Sequence, residues 1–397
     1  MQIELEVNLG VETMELYEYN KIIEYNRRNC DAVLSKNNEV EIFVDGIGKF
    51  NRLNEDLKNA RKYIFIQYYI IKDDEVFNDI ADILIEKAKK GVLIYVLYDA
   101  VGCRRMKKRR WKPLKALGIN VACFSNGLNS GINNRNHRKI VVIDGEIAYS
   151  GGINIGREYI GRDKKFGNWR DTHFRILGET VGTLAKSFIE DWNDLAKSNI
   201  IKNKEDFIFN SSSVGDCYMQ AVTGGPFSNS EIIRDNYLMI IESAKDYIYI
   251  QTPYFIPDKD ILDALKNASK SGVKVVIMIP CKPDHPFVYW ATLSYVGELL
   301  LAGAKGFLYN DGFLHSKGII SDGKICSFGS ANMDITSFKL NYEVNLVIYD
   351  KKTVEQLVLF YKNDLKHCRE ITIDEYKKQG VIIKIKERIF RLMSDVL

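Results

Sequence analysis

NHRKIVVIDGEIAYSGGIN, residues 136–154, and LHSKGIISDGKICSFGSAN, residues 314–332, are two versions of one pattern. Each places a Lys two positions after a His and an Asp five positions after the Lys: His137, Lys139, Asp144 and His315, Lys317, Asp322. Apolar residues flank Asp144-Gly145 and Asp322-Gly323, and Asp-Gly between apolar runs signals a tight hairpin. Side chains at i and i+2 share one face of a strand, so His137 projects with Lys139 and His315 with Lys317. Each hairpin runs into a turn of small residues, Gly151-Gly152-Ile153-Asn154 or Gly329-Ser330-Ala331-Asn332.

Working outward, the whole chain repeats. YIFIQYYIIKDDEVFNDIADILIEKAKKGVLIYVLYD (63–99) and YIYIQTPYFIPDKDILDALKNASKSGVKVVIMIP (247–280) each read as strand, Asp-rich helix start, amphipathic helix and second strand. Gln67 and Gln251 occupy matching places, and Gly91 and Gly272 fall where each helix should stop. His137 to His315 and Asn154 to Asn332 are both 178 positions apart. The expected fold is α/β, with two duplicated lobes, each a mixed sheet flanked by helices, meeting at one composite site. Expected boundaries are a helical extension (1–39), a first lobe (40–205), a polar linker (206–216), a second lobe (217–372) and a basic amphipathic helix (373–397).

An imidazole beside an ammonium suits an anionic substrate. Two such pairs at a lobe interface surround one phosphate with positive charge and stabilise its oxygens as phosphorus becomes five-coordinate. One neutral histidine can attack phosphorus while the other, protonated, supplies the departing alcohol with its proton. Neither a metal nor another cofactor is called for, since a cation beside each histidine disfavours metal binding. The turns offer backbone N–H groups and side chains for phosphate at Gly152, Asn154, Ser330 and Asn332. A catalytic imidazole also needs a partner for its other nitrogen. NWRDTHFRI (168–176) aligns with LNYEVNLVI (340–348), so Asp171 and Glu343 are expected to orient the two histidines, in either pairing. Asp144 and Asp322 belong to the catalytic motif, or else fix the hairpins.

The 397 residues are 46% hydrophobic and 27% charged, with a net charge of only +4, so composition calls for no nucleic-acid partner. Seven scattered cysteines without a C-x-x-C pair speak against a disulfide framework or a zinc ribbon. No apolar run approaches the roughly 20 residues of a spanning helix. CRRMKKRRWKP (103–113) offers instead a route to an anionic membrane: Arg104, Arg105, Lys107, Lys108, Arg109 and Arg110, ending at Trp111, a residue that favours the interface. IIKIKERIFRLM (382–393) is a second amphipathic candidate, or a helix packed on the second lobe.

The doubled His-Lys-Asp motif resembles the signature of the phospholipase D superfamily. RNHRKIVVIDG, KFGNWRDTHFRI, PYFIPD, PDHPFVYWATLSYVGELL, GFLHSKG and SANMDITSFKLNYEVNLVIYD are similar to segments of its bacterial cardiolipin synthase branch. The resemblance implies transfer between two phosphatidylglycerol molecules, giving cardiolipin and glycerol through a phosphohistidine, with His137 as nucleophile. Members of that branch typically begin with two membrane-spanning helices, absent here, so the chain is expected to be either a peripheral variant, on the cytoplasmic side of the membrane, or a truncated form. The acceptor is left open between a second lipid, another alcohol and water. A non-catalytic membrane scaffold is the remaining alternative, and it would have no need of all six motif residues. Oligomeric state is not legible.

Overall fold

The computed structural model describes residues 16–125, 134–195, 201–202, 207, 214–226, 228, 231–282 and 284–392. The first lobe contributes β1 (Ser35–Phe43), β2 (Tyr63–Tyr68), β3 (Leu93–Asp99), β4 (Asn120–Phe124), β5 (Ile140–Ile143), β6 (Ile147–Gly151) and β7 (His173–Gly178). The second contributes β8 (Cys217–Gly224), β9 (Tyr247–Gln251), β10 (Lys274–Pro280), β11 (Lys305–Tyr309), β12 (Gly318–Ser321), β13 (Ile325–Gly329), β14 (Asn341–Ile348) and β15 (Cys368–Ile371). They form one continuous sheet in the order β15-β11-β10-β9-β12-β13-β14-β8-β1-β7-β6-β5-β2-β3-β4. The seam is the antiparallel pair β8 and β1. Outward from it, each lobe repeats the other strand for strand, and only β15 lacks a counterpart. The inner ladders are antiparallel, the outer ones (β2 with β3 and β3 with β4, β9 with β10 and β10 with β11) are parallel, and the edge strand β15 pairs antiparallel with β11.

Sequence chemistry sets these elements. Every residue of β2 is buried, as expected of a Tyr/Ile/Phe run covered on both faces. Asp74 caps the helix Glu75–Lys89 by accepting from the Val76 N–H at 3.1 Å, and Asp258 caps Lys259–Lys270 through the Ile261 N–H at 2.9 Å. Gly91 (φ 86°) and Gly272 (φ 98°) adopt the left-handed conformation just past those helices. The helices Thr180–Leu195 and Lys351–Leu365 cover one face, where Phe65, Phe188, Tyr249 and Tyr361 share a single apolar cluster spanning both lobes. The seam is therefore core, not hinge.

The N-terminal boundary is corrected. Residues 35–39, expected in a helical extension, begin β1 and pair with β7 and β8. The helix Asn20–Cys30 packs on the second lobe: the Asn26 amide donates to Gln220 at 3.0 Å, and the Tyr25 hydroxyl donates to Asp235. Residues 1–15, most of the 206–216 linker and residues 393–397 lie outside the described residues. The helix Val381–Leu392 lies on the second-lobe helix Pro286–Leu301, with Phe390 and Phe287 rings 4.9 Å apart.

Both Asp-Gly turns are tight hairpins. Asp144 and Gly145 have φ of 56° and 71°, Asp322 and Gly323 of 53° and 67°, and each turn closes by an i to i+3 hydrogen bond at 3.0 Å. The Asp144 carboxylate accepts from the N–H groups of Arg61, Lys62 and Tyr63 at 2.7–2.9 Å. Asp322 accepts equivalently from Lys245, Asp246 and Tyr247 at 2.8–2.9 Å. The catalytic assignment of both aspartates is thus corrected. A full strand, roughly 15 Å of chain, separates each from its histidine, and each ties the hairpin to the start of the neighbouring strand.

Replacing Asp144 by Ala strips the acceptor from three N–H groups and should destabilise the first lobe by about 2–4 kcal/mol. A lowered Tm in thermal unfolding is the expected outcome. An unchanged Tm with lost turnover would return Asp144 to the chemistry.

Candidate active site

Two short parallel ladders carry the histidines across the seam. Arg135–Asn136 of the first lobe pairs with Asn341–Tyr342 of the second, and Phe313–Leu314 of the second pairs with Trp169–Arg170 of the first. The His137 N–H donates to the Tyr342 carbonyl at 2.9 Å and the His315 N–H to the Arg170 carbonyl at 2.7 Å. Each histidine is therefore anchored by the backbone of the opposite lobe.

The orienting carboxylates follow the same exchange. His137 Nδ1 lies 2.9 Å from both Glu343 carboxylate oxygens, and His315 Nδ1 lies 2.7 Å from Asp171 Oδ2. A carboxylate holds the proton on Nδ1, so each Nε2 keeps its lone pair. Lys139 and Lys317 are fully buried and donate back to the carbonyls of His137 and His315. Lys317 Nζ also lies 2.9 Å from His315 Nδ1. The Tyr69 ring stands 4.8 Å from the His137 ring, and the Trp169 ring 5.0 Å from that of His315. Both histidines open on a cavity of about 890 Å³.

Burial dominates the electrostatics. It lowers His137, with Glu343 opposing and Lys139 reinforcing the shift. It lowers His315 further, to about 4, reinforced by Lys317. Burial brings Lys139 down to about 7 and Lys317 to about 8, although Glu343 and Asp171 pull the other way. Burial alone would raise both carboxylates. The charge of Lys317 and the hydrogen bond from His315 nevertheless leave Asp171 low, and the hydrogen bond from His137 and the charge of Lys139 leave Glu343 low. At neutral pH the site thus holds neutral imidazoles and lysines that give up their protons easily, a combination that the negative charge of a phosphate diester would reverse.

The phosphate-binding reading of the small-residue turns needs revision. The Gly152 N–H is spent on the Thr172 carbonyl, and a Cβ at Gly152 would stand 2.0 Å from Asp171 Oδ1, so this glycine makes room for the carboxylate. The Ser330 N–H goes to Val344, and its hydroxyl donates to Glu343 instead of facing the cavity. Asn341 adds an amide donor to Glu343 at 3.3 Å. Asn154 and Asn332 do line the cavity. His285, also on the cavity wall, stands at the N-cap of Pro286–Leu301 without a side-chain cap bond.

A buried layer behind the site was not foreseen. Arg138 donates to the Glu343 carbonyl at 3.1 Å and to Asp191 at 2.7 Å; Arg170 donates to the Asp171 carbonyl and to Asp364 at 2.9 Å. Gln67 and Gln251 donate to those same aspartates, at 2.5 and 2.8 Å. A signal was available: Phe188-x-x-Asp191 and Tyr361-x-x-Asp364 follow Gln67 and Gln251 in the same chain order, though at a different spacing in each lobe.

The basic loop reaches the cavity mouth through Arg104 and Arg105. Trp111, expected at a membrane interface, is instead buried between Phe77 and Tyr98, at ring distances of 5.3 and 4.8 Å. Arg110 is held by Asp73 at 2.7 Å. Arg104, Arg105, Lys107, Lys108 and Arg109 stay exposed. Among the described residues no helix is long and apolar enough to cross a membrane.

Comparison with known proteins bears on this geometry. The family model described as "Cardiolipin synthase, PLD-like domain" matches residues 53–192 and 237–365. A cardiolipin synthase of Oceanobacillus iheyensis is 48% identical over 96% of this chain and 80% of its own length. The major cardiolipin synthase of Bacillus subtilis is 46% identical over 93% of this chain and 77% of its own. Among solved structures, phosphatidylserine synthase from Haemophilus influenzae superposes with a TM-score of 0.71 at 15% identity, covering 95% of this chain and 98% of that one, a likeness of fold. With both lobes matched in a single chain, the protein belongs to the cardiolipin synthase family of phospholipase D-like proteins.

Proposed function

We propose that this protein joins two phosphatidylglycerol molecules into cardiolipin and releases glycerol. The observation that carries the reading is the pair of buried imidazoles, each with Nδ1 on a carboxylate of the opposite lobe and both lining one shared cavity. The donor's phosphodiester sits between them. Nε2 of one histidine attacks phosphorus, the bond from phosphorus to the glycerol oxygen breaks, and the other histidine, charged by the arriving phosphate, protonates that oxygen. A hydroxyl of the second phosphatidylglycerol then returns its proton to that histidine, its oxygen attacks phosphorus, and the phosphorus–nitrogen bond breaks. Lys139 and Lys317 stabilise the non-bridging oxygens in both steps.

The resemblance to the superfamily makes His137 the nucleophile. One feature points the other way: burial, reinforced by Lys317, lowers His315 to about 4, which keeps its imidazole a free base. Incubation of the protein with phosphatidylglycerol vesicles should give cardiolipin and glycerol by mass spectrometry. His137→Ala and His315→Ala should each lower turnover by about 10³-fold or more, since each group acts in both steps. Alkaline peptide mapping of quenched protein should find phosphohistidine at one of the two. Phosphatidic acid as the sole product would make the protein a hydrolase, and vesicle binding without turnover would make it a scaffold.

The lysines set the alkaline side of the pH profile. Their lowered values mean that charge, and phosphate affinity, disappear as pH rises through about 7 and about 8. kcat/KM should fall across that interval, because it reports the free enzyme. A profile still level well above pH 8 would show that the lysine charges do not govern substrate capture.

Membrane approach, on the cytoplasmic face, rests on the five exposed cations of the basic loop. Anionic headgroups attract such residues by about 1 kcal/mol each. Replacing Arg104, Arg105, Lys107, Lys108 and Arg109 with Gln should weaken co-sedimentation with phosphatidylglycerol vesicles and leave the Tm unchanged. Unaltered co-sedimentation at physiological salt would assign membrane contact elsewhere.

A further inference from the structure

The two catalytic halves repeat, but the walls of the cavity around them do not. The first-lobe wall carries Lys72, Arg104, Arg105, Arg135 and Lys165. Its two acidic residues are Glu158, which is ion-paired with Lys72, and Asp163. Among the described residues, the second-lobe wall has no lysine or arginine and presents Asp284 and Asp334. Duplicated halves acting on identical phosphates have no need of opposite charge on their walls.

A second asymmetry lies in the asparagines that the repeat aligns. In the first lobe Asn154 Oδ1 accepts from the Ile70 N–H at 3.1 Å. In the second, Asn332 Oδ1 has no hydrogen-bond partner, although the residue is only 7% exposed and lines the cavity. Its amide is committed to Asp334. A buried carbonyl oxygen without a donor is costly to leave so, and it indicates a donor that arrives with a ligand. The same wall carries further acceptors. Asp334 uses Oδ1 on the Ser337 N–H at 2.7 Å, and Asp284 takes the Tyr254 hydroxyl and the His285 N–H, the latter at 2.8 Å.

We propose that Asn332, Asp334, Asp284 and Tyr254 form a subsite for a neutral, hydroxyl-rich headgroup, the glycerol of the lipid that is losing it. The subsite rests on the function proposed above. The hydroxyls of the headgroup donate to Asn332 Oδ1 and the two carboxylates, and the Tyr254 hydroxyl, whose proton goes to Asp284, supplies a further acceptor. The same carboxylates repel a phosphate, which directs the second lipid's phosphate to the cationic first-lobe wall. The cavity thereby gives two chemically similar lipids different places, one as donor and one as acceptor.

The test is a competition in one mixture. The protein is given phosphatidylglycerol vesicles with deuterated glycerol and 1-propanol at equal concentration. The ratio of labelled phosphatidylglycerol to phosphatidylpropanol is read by mass spectrometry, and it does not depend on how much enzyme is active. The wild-type protein should favour glycerol. Asp284→Asn should reduce the ratio about tenfold, the effect of one hydrogen bond to a charged acceptor, and Tyr254→Phe should reduce it less. A ratio unchanged in both variants, with transfer intact, overturns the subsite alone. A wild-type protein that transfers to neither alcohol and makes no cardiolipin overturns the proposed function, and the subsite with it.

Discussion

Burying two imidazoles and two ammonium groups in one cavity is the constraint on which the structure depends. None of the four tolerates the interior alone, since a buried charge without a partner costs several kcal/mol. The solution is an exchange. Glu343 of the second lobe serves His137 of the first, and Asp171 of the first serves His315 of the second. Neither lobe can complete a histidine–carboxylate pair by itself. This explains why the seam between β8 and β1 is continuous sheet, why the apolar cluster runs through both lobes, and why short parallel ladders cross between them.

The supporting residues serve that exchange. Arg138 and Arg170 hold the backbone carbonyls of Glu343 and Asp171, and buried aspartates hold the arginines in turn. Gly152 and Ser330 are equivalent in the repeat but act differently. One vacates space for Asp171, and the other donates to Glu343. The two histidines therefore lie in related but unequal surroundings, in keeping with the proposal that one attacks phosphorus and the other moves the proton.

Much of this was legible in the residues. The doubled motif, the strand–helix–strand repeats and the Asp-Gly hairpins rest on local chemistry, and local chemistry survives folding. Asp171 and Glu343 came from aligning the chain with itself. What the sequence left open was direction: nothing in NWRDTHFRI or LNYEVNLVI says that each carboxylate crosses to the other lobe, because that depends on strand order around the seam. The misreadings have one root. Asp144, Ser330, Gly152 and Trp111 are residue types that can act on a ligand, yet each has its hydrogen bonds or its surface taken by neighbours distant in sequence. β1 was missed because SKNNEVEIF carries its burial on few positions and reads as polar.

The crossed pairing can be observed directly by nitrogen-15 NMR of the protein labelled in its five histidine imidazoles. The expected spectrum at neutral pH shows His137 and His315 neutral, with the proton on Nδ1. Glu343→Gln should disturb the His137 signals and leave those of His315 in place, and Asp171→Asn should do the reverse. Substitutions that instead disturb the histidine of their own lobe, or two imidazoles with the proton on Nε2, would contradict the composite site.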